Sequence, residues 1–300
     1  MIFKELCELY FENYKTLVQK ITYDTKKYIF DKAIKTKEIY SLEITEITEN
    51  SLIYLKENLL KEYTGNTVRM IYYIIIKIFS LAVELNYIDK NIAKTLGNIP
   101  QRGNAKPIRT ITKNDFYKIL SLITNKQFEK KVFLKLLFHS GLRSSEARAL
   151  KWVDLDFNNG LLIVDKSIYC RRYNDYTLTD TKSKSSRRCI MLDSNILLDL
   201  LEMKEKIEYN KEKDFIFNKA GVPHPQHFAK EILRYNCKKA KVLEISMHGL
   251  RHSHVSYLIR NNVNLKLIQK RVGHSNASIT LNTYAHIFTE DEREILDLFN

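Results

Sequence analysis

The sequence predicts a mainly α-helical chain with a small antiparallel β-sheet in its C-terminal portion. Three observations carry this. Apolar residues recur at three-to-four spacing through most of residues 1–95 and again from Thr112 onward. Between residues 151 and 193 the period changes to short β-branched and aromatic runs separated by Asn, Gly and Asp turns. Around Gly97, Pro100, Gly103 and Pro107 the periodicity stops altogether. The expected organisation is therefore a helical domain over 1–95, a basic linker over 96–111, and a second domain over 112–300 that ends in a tail helix.

The helical domain is expected to contain Phe3–Val18, Thr25–Lys35, Glu49–Glu62 and Thr67–Leu85, with Thr64-Gly65-Asn66-Thr67 supplying the break and cap before the last. In that helix Val68, Ile71, Ile75, Phe79, Ala82 and Val83 form one stripe. Ile44–Thr48 reads as a short extended or turn connection. In the linker, Arg102, Lys106 and Arg109 stand among glycines and prolines, a composition suited to a strap that touches phosphate.

From Thr112 a helix opens on a capping residue, with Asp115 three positions later. A second, Phe128–Ser140, turns Val132, Phe133, Leu136 and Leu137 inward and stops at Gly141, a residue suited to a left-handed C-cap. GLRSSEARAL (141–150) then begins a helix at Ser144 or Ser145, with Arg143 just before it and Glu146 in its first turn. Strands are expected at Leu161–Val164, Ser167–Tyr169 and Cys189–Leu192, with turns at Asn158–Gly160 and near Asn174-Asp175. TDTKSKSSRRCIML (179–192) reads either as a solvated hairpin tip or as a basic hairpin that enters a groove, carrying Lys182, Lys184, Arg187 and Arg188. Residues 194–240 return to helices, interrupted by Phe215-Ile216-Phe217. The helical pieces Ser253–Asn261 and Leu265–Val272 leave His248, Arg251 and His274 at element ends, where a scaffold can present them.

Composition narrows the partners. The 300 residues are 44% hydrophobic and 28% charged, with a formal net charge of +14. That excess points to a polyanion, nucleic acid before an anionic membrane. It is unevenly placed: residues 1–100 hold 14 Lys/Arg against 13 Asp/Glu, so nearly all of it falls in 101–300. The longest apolar run, Ile71–Phe79, is broken by Lys77, and no membrane span is expected. The N-terminal residues lack a signal-peptide pattern, which implies a cytoplasmic protein. Cys7, Cys170, Cys189 and Cys237 are far apart with no CxxC pair, and read as free thiols in a reducing compartment. No acidic cluster suits two metals and no GxxxxGK[ST] loop is present, so neither a metal nor another cofactor is expected.

The ordered set HGLRH (248–252), VGHSN (272–276) and NTYAHIF (282–288) carries the chemistry. Arg251 offers a fork of donors suited to two phosphate oxygens. His248 and His274 can donate hydrogen bonds or move protons near neutral pH. Tyr284 is a possible covalent nucleophile. Each residue taken alone reads as surface or packing; the spacing is the signal.

GLRSSEARAL, TKSKSSRR, HGLRH, GHS and a Tyr ten residues beyond that His resemble, in this order, the tyrosine recombinase (phage integrase) family. The resemblance spans residues ~110–290 with specific motifs, and covers 1–95 more loosely as a core-DNA-binding domain. It implies a two-domain clamp on double-stranded DNA, the second domain catalytic. It implies that Arg143 and Arg251 hold the scissile phosphate, Lys182 (with Lys184 as its rival) protonates the leaving 5′ oxygen, and Tyr284 attacks phosphorus. His248 would accept or position a proton, His274 would bond the phosphate, and Glu146 would support the site. Arg102, Lys106, Arg109, Lys184, Arg187 and Arg188 are the expected DNA contacts.

The resemblance further implies a tail (Ala285–Asn300) docking on the next protomer, a homo-tetramer on two DNA sites, and an accessory directionality factor. Because the helical domain starts almost at Met1, no arm-binding domain is expected. The activity so implied is site-specific recombination by a mobile element's integrase, through a 3′-phosphotyrosyl intermediate and a Holliday junction. A chromosome-dimer-resolving recombinase, a relaxing topoisomerase and a non-catalytic DNA-binding regulator are the alternatives.

Overall fold

The computed structural model describes residues 1–95, 108–180 and 187–274, and omits the side chains of Arg171 and Arg172. Arg102, Lys106, Lys182, Lys184, Tyr284 and the tail 285–300 therefore lie outside the described residues. The chain divides into two compact units, Met1–Pro107 and Ile108–Asn300.

The first unit is built from α1 (Phe3–Leu17), α2 (Lys20–Ile34), α3 (Glu49–Glu62) and α4 (Gly65–Glu84). The apolar stripe of α4 is its centre: Val68, Ile71, Ile75, Ile78 and Phe79 are buried against α1, α2 and α3. Phe3, Phe11, Phe30, Leu52 and Leu59 complete the core. Thr48 and Thr64 cap α3 and α4 by accepting from the backbone N–H groups of Ser51 and Thr67. By length and composition α4 could cross a membrane, which the reading of Ile71–Phe79 as too short did not allow. Nine of its 20 residues are buried in the core of this unit. Helix α2 starts at Lys20, five residues before the expected Thr25, because the edge-on contact of Tyr23 with Phe11 draws the earlier turn onto α1.

In the second unit α5 (Lys113–Ser121), α6 (Phe128–Ser140), α7 (Ser144–Ala149), α8 (Ser194–Lys206), α9 (Lys230–Lys239) and α10 (Met247–Arg260) surround one large apolar core, and Ile268 and Val272 of α11 (Leu265–Val272) pack with Val255 and Ile259 of α10 in a separate small cluster. Phe116 stacks on Phe138 at 4.0 Å, and Phe133 meets Phe217 and Phe228 edge-on. Helix α6 runs through this core and packs on both α8 and α10.

The strands do not make the single sheet that was expected. β1 (Leu155–Asp156), β2 (Leu161–Val164) and β5 (Arg188–Met191) form one antiparallel sheet in the order β1-β2-β5. β3 (Lys166–Arg172) and β4 (Asp175–Asp180) pair separately as a hairpin that packs on α7, and β6 (Asn218–Lys219) pairs with β7 (Val222–Pro223). The chain thus leaves the first sheet after β2, makes a hairpin, and returns with β5 beside β2, Ile163 opposite Cys189. The hairpin has a small core of its own, in which Ile168 and Cys170 lie with Ala149 and Phe215. All four cysteines are free thiols.

Candidate active site

Two left-handed glycines set the geometry. Gly141 ends α6 at φ +67°, and a Cβ there would sit 2.5 Å from His254 Cδ2 on α10. The chain can pass this close to α10 only without a side chain. Gly273 ends α11 at φ +70°, where a Cβ would come within 3.0 Å of Arg188 Nη1. Gly141 thereby lets the end of α6 lie on α10, and Gly273 lets the end of α11 lie on the Arg188 side chain.

Helix α10 begins at Met247, six residues before the expected start, since the Ser246 side chain accepts from the Gly249 N–H. His248 consequently lies in its first turn and Arg251 in its second, inside the helix and not before it. The incoming segment at Ile108–Ile111 lies along this turn. The Ile111 N–H donates to Ser253 Oγ, and a Cβ on Gly249 would be 3.3 Å from the Arg109 carbonyl. A Cβ there would also be 3.0 Å from Ile245 Cβ, so a residue larger than glycine requires small shifts on both sides.

Arg251 is 2% exposed. Its Nη1 donates to the Gly141 carbonyl at 2.7 Å and its Nη2 to the Val272 carbonyl at 2.8 Å. One guanidinium therefore joins α10 to the ends of α6 and α11. Arg143, the N-cap of α7, is more open, with 37% of its side chain exposed. Its Nη1 reaches Glu146 Oε1 at 2.7 Å and its Nη2 reaches the Gly273 carbonyl at 3.4 Å.

Glu146 is buried and caps α7 by accepting from the Arg143 N–H at 2.9 Å. It also pairs with Arg188, whose Nη2 lies 2.9 Å from Oε2. Burial works to raise its pKa, but the hydrogen bond and charge of Arg188, with the charge of Arg143, outweigh it. The carboxyl is held below its ordinary value and stays ionised.

The carbonyls of Arg271, Val272 and Gly273 are each taken by a different arginine: Arg188 Nε at 2.7 Å, Arg251 and Arg143. These are the carbonyls that the end of a helix leaves unsatisfied, at its partially negative pole. Arg271 itself reaches back to His254 Nε2, the His139 carbonyl and the Met191 carbonyl. His274 follows directly, its backbone tied to Gln269 in both directions.

These groups also act on one another electrically. Burial, then Arg251, Arg143, His248 and His252, bring His274 down to about 4. His252 is brought to about 4 by burial, then His248 and Arg251, and its ring meets that of His248 edge-on at 4.6 Å. His248 is lowered by burial, then Arg251 and Arg143. At neutral pH the three imidazoles are uncharged, inside a positive field that suits an anion.

Four expected site residues, Arg143, His248, Arg251 and His274, are thus brought together with Glu146 beside them. Lys182 and Tyr284 lie outside the described residues, as do Arg102, Lys106 and Lys184. Arg109 and Arg187 are exposed. Arg188 is a correction: expected to face DNA, its side chain is 3% exposed and clamped on Glu146. The cause is strand alternation. Arg188 and Ile190 point inward while Cys189 and Met191 point outward, a period-two pattern that was readable from the apolar Ile190 and Leu192. His252 and Arg271 were not singled out either, although His252 closes the HGLRH motif; Arg271 stands in none of the quoted motifs.

The family model for the phage integrase family matches residues 109–291. The chain belongs to that family. It is a tyrosine recombinase, a DNA strand transferase. It is 28% identical over 285 residues to the ICEBs1 integrase of Bacillus subtilis (strain 168), covering 92% of this chain and 76% of the relative. It is 25% identical over 301 residues to a tyrosine recombinase XerC-like protein of Caldanaerobacter subterraneus subsp. tengcongensis, covering 89% of this chain and 74% of the relative. Among solved structures, the Tn1549 transposon integrase in complex with a circular intermediate DNA shares the fold, with a TM-score of 0.81 at 20% identity over 98% of this chain and 99% of that one.

Proposed function

We propose that this protein is the site-specific recombinase of a mobile element, and that residues 1–95 and 112–300 close as a clamp on duplex DNA. The observation that carries the reading is the convergence of the Arg143 and Arg251 guanidiniums and the neutral His248 and His274 on one braced cluster. In the reaction, Tyr284 Oη attacks the scissile phosphorus and the P–O5′ bond breaks. The Tyr284 proton passes to His248, and Lys182 protonates the departing 5′ oxygen. Negative charge growing on the phosphate oxygens meets the fixed field of Arg143 and Arg251, with His274 donating a hydrogen bond. The phosphotyrosyl ester keeps the energy of the phosphodiester, so a second 5′ hydroxyl reverses the step without ATP.

Exchange between two duplexes breaks four strands, and one nucleophile per chain calls for four chains. A homo-tetramer on two DNA sites, linked head to tail by residues 285–300, meets that stoichiometry. An accessory factor would set direction. Arg109 and Arg187, both exposed, remain candidate phosphate contacts, with Arg102, Lys106 and Lys184 beside them in sequence.

The similarity to the ICEBs1 and Tn1549 integrases favours a mobile-element role. The XerC-like relative favours the second reading, a chromosome-dimer-resolving recombinase. Incubation with nicked duplexes carrying the ends of the encoding element, and with duplexes from the replicon's dimer-resolution region, separates them. Covalent adducts on the element ends support the first reading; adducts confined to the replicon site support the second.

A further inference from the structure

The buried pair between Arg188 and Glu146 has no part in the chemistry above. Both side chains are almost fully enclosed, at 3% and 2% exposure. Such a pair is poor evidence of stability, because desolvation of two charges offsets most of their attraction. Its geometry is more informative. Each Glu146 oxygen serves two donors. Oε1 takes Arg143 Nη1 and Arg188 Nη1; Oε2 takes the Arg143 N–H and Arg188 Nη2. Arg188 therefore fixes the plane of the carboxylate from behind, and the carboxylate fixes Arg143 in front. The third Arg188 donor, Nε, holds the Arg271 carbonyl at the end of α11, three residues before His274.

We propose that Arg188 is a positioning residue for strand cleavage, orienting the Arg143 guanidinium through Glu146 and the His274 turn through the Arg271 carbonyl. It touches no DNA. The proposal rests on the recombinase reading, in which Arg143 and His274 meet the scissile phosphate. Without Arg188 the carboxylate follows Arg143 instead of restraining it, and a shift of about 1 Å in a phosphate-binding group costs about 100-fold in rate. Strand β5 begins with this residue, so the chain emerging from the segment that contains Lys182 is anchored to the same carboxylate.

The test compares wild type, Arg188→Met and Arg188→Lys on a nicked duplex carrying the end of the encoding element. Arg188→Met is expected to bind DNA within about threefold of wild type with an unchanged salt slope, while single-turnover adduct formation falls about 100-fold. Arg188→Lys retains charge without the fork and recovers part of that rate, to within about tenfold of wild type. It also keeps the buried charge, so it decides the matter should the Met variant fail to fold. Added to Glu146→Gln, Arg188→Met should lower the rate by less than about threefold more, since both act on one guanidinium. Amide exchange at Val272–His274 should accelerate in Arg188→Met.

Wild-type cleavage by Arg188→Met would overturn the proposal. So would fully multiplicative effects with Glu146→Gln, or a loss of affinity with a salt slope reduced by about one, the mark of a phosphate contact. Should wild type itself form no adduct, the recombinase reading fails. Amide exchange at 272–274 then still decides whether Arg188 holds that turn.

Discussion

Arg251 is structural in its contacts, and the proposed reaction gives it a chemical role as well. Its two carbonyl partners, on Gly141 and Val272, belong to two different helix ends, and both are buried with it. Arg251→Met should orphan both carbonyls, at about 1–3 kcal/mol each, and lower strand cleavage by about 10²–10³. Urea unfolding and single-turnover cleavage read the two effects separately; an undiminished cleavage rate would remove Arg251 from the mechanism. The histidines make a second prediction. His252 and His274 fall to about 4 and His254 to about 3, all chiefly by burial, from an ordinary 6.5. Between those limits the unfolded chain binds protons that the folded one refuses, so stability rises with pH. The thermal midpoint should therefore drop as pH is lowered from about 6.5 towards 4. A midpoint unchanged over that range would show that these imidazoles are not held neutral by the fold.

At the scale of elements, the site is a junction of helix ends made possible by tight turns. Gly141 is its most sensitive point: a methyl group there meets His254 at 2.5 Å and must adopt a left-handed backbone. Gly141→Ala should cost at least about 1–2 kcal/mol from the backbone alone, with the clash adding to it. Equilibrium unfolding would measure the loss, and an unchanged midpoint would mean that α6 and α10 can separate freely. The helices were largely legible from their period and caps, as Phe128–Ser140 with its Gly141 stop illustrates. The splitting of β1–β5 into two sheets was not, because pairing between Leu161–Val164 and Arg188–Met191 skips a whole hairpin and leaves no local trace. Arg143, His248, Arg251 and His274 were legible as a motif. Their bracing was not: it runs through backbone carbonyls, which every residue has and no sequence marks. Arg188 misled for a different reason: a basic run looks solvated until strand alternation, here marked by Ile190 and Leu192, assigns each member a side.

For the whole molecule, the net charge of +14 and the exposed Arg109 and Arg187 describe a protein drawn to a polyanion. If it neutralises about 6–10 phosphates, its affinity for DNA should fall about 10³–10⁵-fold between 50 and 200 mM salt. A flat salt titration would contradict DNA as the partner of this charge. The proposed clamp, tetramer and exchange of strands all presuppose that one phenol becomes joined to one DNA phosphorus. The most direct measurement is covalent trapping: the protein is mixed with a nicked duplex carrying its site, then denatured and resolved by mass. Wild type should yield a protein–DNA adduct and Tyr284→Phe none, while both bind the duplex equally. An adduct that persists in Tyr284→Phe would contradict the account.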